Sequence, residues 1–401
     1  MKMISVDEAL ANIFDNTDIL GEEYADLQSV YGKVLAEDVR SDIDIPPFHK
    51  AAMDGYAVLS RDLARLPVEL TLIGNLPAGT FSSEVVRTGT CMKIMTGAPV
   101  PEGADAVVMV EDTERVSESL IRFKKGVLSG ENVCRMGEDV RIGETVLHRG
   151  ILMGGPEVAV CASVGKTSLR VVRMPKTGIL STGNEIVEPA QNPGKGKIRN
   201  SNGPMLYSLV RGAGCSAEYM GISDDSEEEL RQAIRRGFEK DLFLLSGGVS
   251  MGDYDLIPDI LQKEGGRVLF HRVRVKPGKP LLFARKDGCR IFGIPGNPVS
   301  NLTTFFLFIK PALFKMMGRE DYQPRFLNAR ITADFPYQSG RVYVVPSRCG
   351  VQDGCLTVTP FTLNGSADIT GCAETNCFMI LPEGTKTIKE RETVKVLLID
   401  R

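Results

Sequence analysis

The stretch from Ser246 to Asp255, Ser-Gly-Gly-Val-Ser-Met-Gly-Asp-Tyr-Asp, constrains the fold most tightly. The apolar run Leu242 to Leu245 precedes it and reads as a buried strand, and Leu256 to Leu261 follow and read as a helix. A strand, a glycine-rich turn and a helix start form the unit with which α/β proteins hold phosphates. Glycine lets the backbone approach an anion closely, and the free amides of a helix start point at it. In this turn Ser246, Gly247, Gly248 and Ser250 supply the small residues, and Asp253 and Asp255 close it. Carboxylates beside a phosphate repel it unless a cation lies between them, so the pattern points to a phosphorylated substrate and Mg²⁺.

The neighbouring sequence extends the same logic. From Val171 to Met317, strands and helices alternate. Gly178 to Leu180 reads as a strand leading into Ser181-Thr182-Gly183-Asn184-Glu185. Asn202 is placed as the N-cap of a helix running to about Arg211. Ala217 to Ile222 reads as a strand, and Asp224-Asp225-Ser226 cap a helix from Glu227 to Phe238. Strands near Val268, Leu281 and Ile291 lead to a long, very apolar helix from Pro298 to Met317. This predicts a doubly wound α/β domain with a parallel sheet covered on both faces and ligands at the carboxyl ends of its strands. From about Pro46 to Asp139, short β-like runs broken by Gly and Pro predict a β-rich module. The short runs around Val342, Leu356, Phe378 and Val394 predict a small C-terminal β-barrel or sandwich.

Composition removes other classes. The net charge of −3 offers no basic excess for nucleic acid. Three histidines leave little room for histidine-based triads or metal sites. Nine scattered cysteines, without a CxxC, read as reduced thiols of a cytoplasmic protein. Residues 1–14 pattern as an amphipathic helix rather than a signal peptide, and no apolar run is long enough to span a membrane.

Three glycine-bearing loops fall at predicted strand ends: Ser181 to Glu185, Ser246 to Asp255, and Ile294-Pro295-Gly296-Asn297-Pro298. Parallel strand ends share one edge, so the three can face one pocket for a phosphate or nucleotide. Lys276-Pro277-Gly278-Lys279-Pro280 places two ammonium groups on a stiff turn, which lowers the entropy lost on engaging an oxyanion. The remaining candidates are loop positions: Asp54 in Met53-Asp54-Gly55-Tyr56, Thr96 in Met95-Thr96-Gly97, Asp139 in Gly137-Glu138-Asp139, and Arg341 and Ser366 in the last module.

Taken together, these stretches resemble the molybdopterin molybdenumtransferase family, MoeA, whose relatives include the E domain of gephyrin. The matching pieces run in order through the whole chain: 46–57, 94–105, 137–139, 181–185, 246–255, 276–280 and 295–300. The resemblance implies an α/β molybdopterin-binding domain (1–25 and 170–325), a connecting and dimerisation domain (26–45 and 140–169), a β-rich domain (46–139) and a C-terminal barrel (326–401). It implies an Mg²⁺-dependent insertion of molybdate into adenylylated molybdopterin, releasing AMP, in a homodimer that contacts a molybdopterin adenylyltransferase. By resemblance, Asp54 and Thr96 approach the partner's α/β site and Asp139 supports it. Glu185, Asp224 and Asp255 surround the metal and pyrophosphate, with Glu185 and Asp255 as metal ligands. Lys276, Lys279, Pro280 and Ser300 border the molybdate pocket, with Arg341 and Ser366 from the last domain. Two stretches depart from the family pattern, His49-Lys50-Ala51 and Ala367-Asp368. A non-catalytic molybdopterin carrier or scaffold is the alternative reading.

Overall fold

The computed structural model describes residues 2–249 and 256–399. Its described residues form four bodies of structure around several apolar cores. The first is a six-stranded sheet in the spatial order Ser216–Ser223, Lys176–Thr182, Leu242–Ser246, Cys289–Ile294, Leu282–Lys286, Arg267–Phe270. Its central strand alternates between two cores. Leu242 and Leu244 pack with Ile179, Phe292 and Phe308, together with Ala9 and Ile13 of the N-terminal helix. Phe243 and Leu245 pack on the opposite face with Leu230, Ile234 and Ile260. A strand buried on both faces is apolar throughout, which is why Leu242 to Leu245 carries no polar residue.

The helices are α1 (Val6–Asp15), α2 (Gly155–Ser163), α3 (Asn202–Gly212), α4 (Glu227–Gly237), α5 (Ile257–Lys263), α6 (Pro298–Thr304) and α7 (Lys310–Met316). Ser5 and Glu8 close a reciprocal capping box at the start of α1. Ser226 caps α4 by accepting from the Glu229 amide.

Three sequence expectations are corrected. First, the sheet is not wholly parallel: four neighbouring strands run parallel, but Leu282–Lys286 is antiparallel to both Cys289–Ile294 and Arg267–Phe270. The cause is the two-residue link Asp287-Gly288, with Asp287 at φ 49°, which is a hairpin connection and leaves no room for a crossover helix. Second, Asn202 is not a cap: it opens α3 itself, and its amide is used elsewhere. Third, the expected helix 298–317 is interrupted by a π-helical turn, Phe305–Ile309, between α6 and α7. Pro311 lacks an N–H to continue an α ladder at that point, which favours a change of hydrogen-bond pattern before it.

Two strand pairs, Glu22–Asp26 with Ser168–Val172 and Val39–Arg40 with Thr145–Leu147, enclose a core of Val30, Leu35, Met153, Cys161 and Leu169 beside α2. A second six-stranded sheet spans residues 55–123 over two cores, one around Phe123 and Leu70, the other around Met92 and Ile94. Last, Val342–Gln352, Cys355–Pro360, Phe326–Ile331, Thr393–Leu398 and Cys377–Leu381 pair in sequence, and Cys377–Leu381 pairs back onto Val342–Gln352. That closes a five-stranded barrel and removes its open edges. Among the described residues no helix is long and apolar enough to cross a membrane.

Candidate functional site

Register brings the glycine loops together. Ser181 lies beside Ser246, Ser246 beside Ile294, and Thr182 beside Ser223. The segments beginning at Gly183, Asp224, Gly247 and Pro295 therefore leave the sheet at one carboxyl edge. Hydrogen bonds hold them in place. The Asn184 amide donates to Asp225 Oδ2 at 3.3 Å, and the Asp225 amide donates back to Asn184 Oδ1 at 3.1 Å. The Gly247 amide donates to Ile294 O at 3.0 Å.

Two positions in this edge require glycine. Gly247 has φ +102°, and a Cβ there would stand 2.3 Å from Thr182 O. Gly248 has φ +61°, and a Cβ there would stand 2.7 Å from Ile257 Cδ1. Strand and turn thus meet at backbone distance, the approach that a phosphate cradle needs. Thr182 and Ser246 are buried beneath the turn. Thr182 Oγ1 has no hydrogen-bond partner among the described residues. Ser250 and Asp255, expected to complete this turn, lie outside the described residues.

Glu185 is exposed, with its carboxylate folded back over Gly183: Oε2 lies 2.6 Å from the position of a Cβ on that glycine. Its segment is tied down by a buried polar chain. Asn200 Nδ2 donates to Ser181 Oγ at 3.0 Å and to Tyr219 Oη at 2.8 Å, and Tyr219 Oη donates to Glu188 Oε1 at 2.8 Å. Burial, followed by the bond to Glu188, raises the Tyr219 phenol well above its usual range. Asp224 is also exposed, and neither Glu185 nor Asp224 has an ion-pair partner among the described residues. Those residues contain no cluster of three His, Cys, Asp or Glu fit to hold a metal.

A cleft of about 550 Å³ opens next to this edge. Lys276, Gly278, Lys279 and Pro280 form one wall, Pro295, Gly296, Asn297 and Ser300 a second, and Arg341, Tyr343 and Ser366 a third. Pro298 begins α6 at the rim. Val275–Lys276 pairs in parallel with Val342 and Tyr343, so the barrel's first long strand continues directly against the basic turn. Arg341 Nη1 donates to Val275 O at 3.2 Å, and Asn297 Nδ2 donates to Ser366 Oγ at 2.8 Å. The Lys276 ammonium stands 4.5 Å from the centre of the Tyr343 ring, which holds the cation without neutralising it. Three cationic side chains facing one pocket can attract a small dianion.

Asp54 and Thr96 meet each other elsewhere. Asp54 Oδ1 accepts from the Thr96 amide and from Thr96 Oγ1, both at 2.7 Å. These two bonds, the amide first, hold the Asp54 carboxyl below its usual range. The Asp139 amide donates to Ile45 O at 3.0 Å. None of the three lines the cleft of the same chain. Residue-by-residue reading overlooked Tyr343, Asn202 and Asn301. A lone amide inside the apolar stretch 298–317 was the available signal for Asn301; the opening position of α3 concealed Asn202 as a cap.

The family models that match are the MoeA N-terminal region (domain I and II) over residues 4–165, the probable molybdopterin binding domain over 178–315, and the MoeA C-terminal region (domain IV) over 328–399. A molybdopterin molybdenumtransferase of Bacillus subtilis is 35% identical over 404 residues, covering 99% of this chain and 94% of that relative. One from Staphylococcus epidermidis is 33% identical over 402 residues, covering 99% and 96%. The crystal structure of a molybdopterin biosynthesis MoeA protein from Pyrococcus horikoshii superposes with a TM-score of 0.84 at 32% identity, covering 100% of both chains.

Proposed function

We propose that this chain, which belongs to the MoeA family of molybdopterin molybdenumtransferases, acts in molybdenum cofactor biosynthesis by inserting molybdenum from molybdate into adenylylated molybdopterin, with release of AMP. The observation that carries the reading is the Pro295-Gly296-Asn297 turn. It belongs both to the sheet edge with the glycine cradle and to the basic cleft. A nucleotide phosphate on the first and an oxyanion in the second would lie side by side, which supports the reading.

The glycine turns hold the pyrophosphate, with the backbone at Gly183, Gly247 and Gly248 admitting close approach. Exposed carboxylate oxygens without cationic partners are the hard donors that Mg²⁺ takes, and Mg²⁺ needs only one or two of them when phosphates and waters complete its shell. Glu185 and Asp255 would hold it, with Asp224 alongside. When bound, the cation screens the phosphates and stabilises negative charge on the leaving AMP. Lys276, Lys279 and Arg341 draw molybdate into the cleft, and Ser300 and Ser366 border it. The protein's part is positioning and electrostatics.

Asp54 and Thr96 are already locked to one another as a unit and are exposed, so a second copy of the chain can present them to this site. We propose a homodimer completed in that way, with Asp139 supporting the shared site, working in the cytoplasm and making contact with a molybdopterin adenylyltransferase. The test is to incubate the purified protein with adenylylated molybdopterin, Mg²⁺ and molybdate and to measure AMP. Release at the uncatalysed rate while the pterin nucleotide binds would end the transferase reading.

A further inference from the structure

The Pro295-Gly296-Asn297 turn is gripped from behind by two asparagines. Asn301 Nδ2 donates to Pro295 O at 2.6 Å and to Asn297 O at 3.2 Å. Asn202 Nδ2 donates to Gly296 O at 2.7 Å and to Ser246 Oγ at 2.9 Å. Three consecutive carbonyls are thus fixed by side chains that are 0% and 6% exposed. The orientation of both amides is forced, because a carbonyl oxygen bonds only to a donor. Each asparagine leaves its own Oδ1 buried without a partner among the described residues. A protein that keeps two such unsatisfied oxygens needs the two donors more than it needs an apolar contact.

The consequence lies on the other side of the turn. These peptides are trans, and in a trans peptide the N–H points away from the C=O. Carbonyls drawn inward leave the amides of Gly296 and Asn297 directed outward, where both residues line the cleft. Neither amide donates to an acceptor among the described residues. A flipped peptide would instead present a carbonyl oxygen, which repels an anion.

We infer that Asn301 and Asn202 are positioning residues that preset the Gly296 and Asn297 amides as paired donors to the oxyanion in the cleft, opposite Lys276, Lys279 and Arg341. The inference rests on the assignment of that cleft to molybdate. It adds a neutral, directional contact to the diffuse attraction of the cations, so it governs how the oxyanion is oriented as well as how strongly it is held.

The probe is molybdate itself. Wild-type protein carrying ¹⁵N-labelled Gly and Asn is titrated with molybdate, and the Gly296 and Asn297 amide resonances move with the binding curve. Asn301→Leu keeps the volume and removes both donors; its molybdate affinity falls by about tenfold or more, the worth of hydrogen bonds to a charged group. Its affinity for AMP, held at the neighbouring glycine turns, stays at the wild-type value, which a general loss of structure would not allow. If Asn301→Leu does not fold, Asn202→Ala is read in the same way, with Gly296 O the one turn carbonyl released and Ser246 Oγ losing its donor as well. Molybdate binding that leaves both wild-type amides unmoved, or that is unchanged in a folded variant, overturns the inference and leaves the transferase reading standing. Wild-type protein that binds no molybdate overturns both.

Discussion

Replacing Gly247 by alanine tests the phosphate cradle at its tightest point. The added methyl would stand 2.3 Å from Thr182 O and 2.9 Å from Thr182 Oγ1. Ordinary carbon contacts lie near ~3.5 Å, so the turn must retreat by about 1 Å from the neighbouring strand. Holding an alanine at φ +102° adds about 1–2 kcal/mol of backbone strain. Retreat also stretches the 3.0 Å bond from the Gly247 amide to Ile294 O, worth about 1 kcal/mol. The expected destabilisation is therefore about 2–3 kcal/mol. The catalytic cost is larger, because a misplacement of about 1 Å at a reacting group loses roughly a hundredfold in rate. Gly194→Ala is the control: nothing lies within 4 Å of its added carbon and its φ is ordinary, so it stays within about 0.5 kcal/mol of wild type. Thermal unfolding reads the first effect and AMP release from adenylylated molybdopterin the second. A Gly247→Ala protein that melts with wild type and releases AMP at a rate within about threefold of it would show that this close approach has no role in the chemistry.

Three further outcomes follow from individual contacts. Burial raises the pKa of Asp241, but two bonds of 2.6 Å from Arg173 and one of 2.8 Å from the Lys176 amide outweigh it and leave the carboxyl below its usual 3.8. A depressed folded pKa stabilises above the unfolded value and is lost as pH falls through it. Asp241→Asn should cost about 2 kcal/mol at pH 7, discounted for the partly exposed Arg173, and the gap to wild type should close in denaturation below about pH 3.8. Tyr219→Phe removes the link from Asn200 to Glu188 and should cost about 1–2 kcal/mol, seen as faster amide exchange across residues 183–201. Since the folded pKa of Tyr219 is raised, its contribution is complete below pH 10.0 and fades above it, so the difference between the two proteins should shrink in alkali. Lys276→Ala should raise KM for molybdate by about tenfold or more while KM for the pterin nucleotide holds, in steady-state assays; equal changes in both would argue against a separate oxyanion cleft.

Much of the α/β unit was legible because its signals are local. The apolar run 242–245 sits between two cores that each claim alternate residues, and only a strand satisfies both. The glycines after it are needed where the backbone meets Thr182, so composition and conformation point the same way. The antiparallel edge is not carried by the apolar runs near Leu281 and Ile291, which mark strands without direction; its signal is Asp287-Gly288, a hairpin link between them. The interruption at Phe305–Ile309 was missed because apolarity measures burial and carries no record of which hydrogen-bond ladder is in use.

The site divides along a similar line. Four loops on one edge follow from parallel pairing alone, since strands in register must end together. The cleft does not follow from pairing. Its walls come from residues 276–280, 295–300, 341–346 and 363–366, and nothing local links the Lys276 turn to Arg341 or Ser366. They meet because the barrel's Val342–Gln352 strand continues onto Val275–Lys276, a contact between segments more than sixty residues apart. Arg341 and Ser366 are legible only as polar loop positions of the last module, with no signal that places them beside Lys276, whereas the asparagines that grip the Pro295–Asn297 turn form no motif at all. A side chain that acts by orienting the backbone leaves its trace in which carbonyl it binds. Sequence therefore exposes the charged groups that touch an anion sooner than the neutral ones that aim the amides at it.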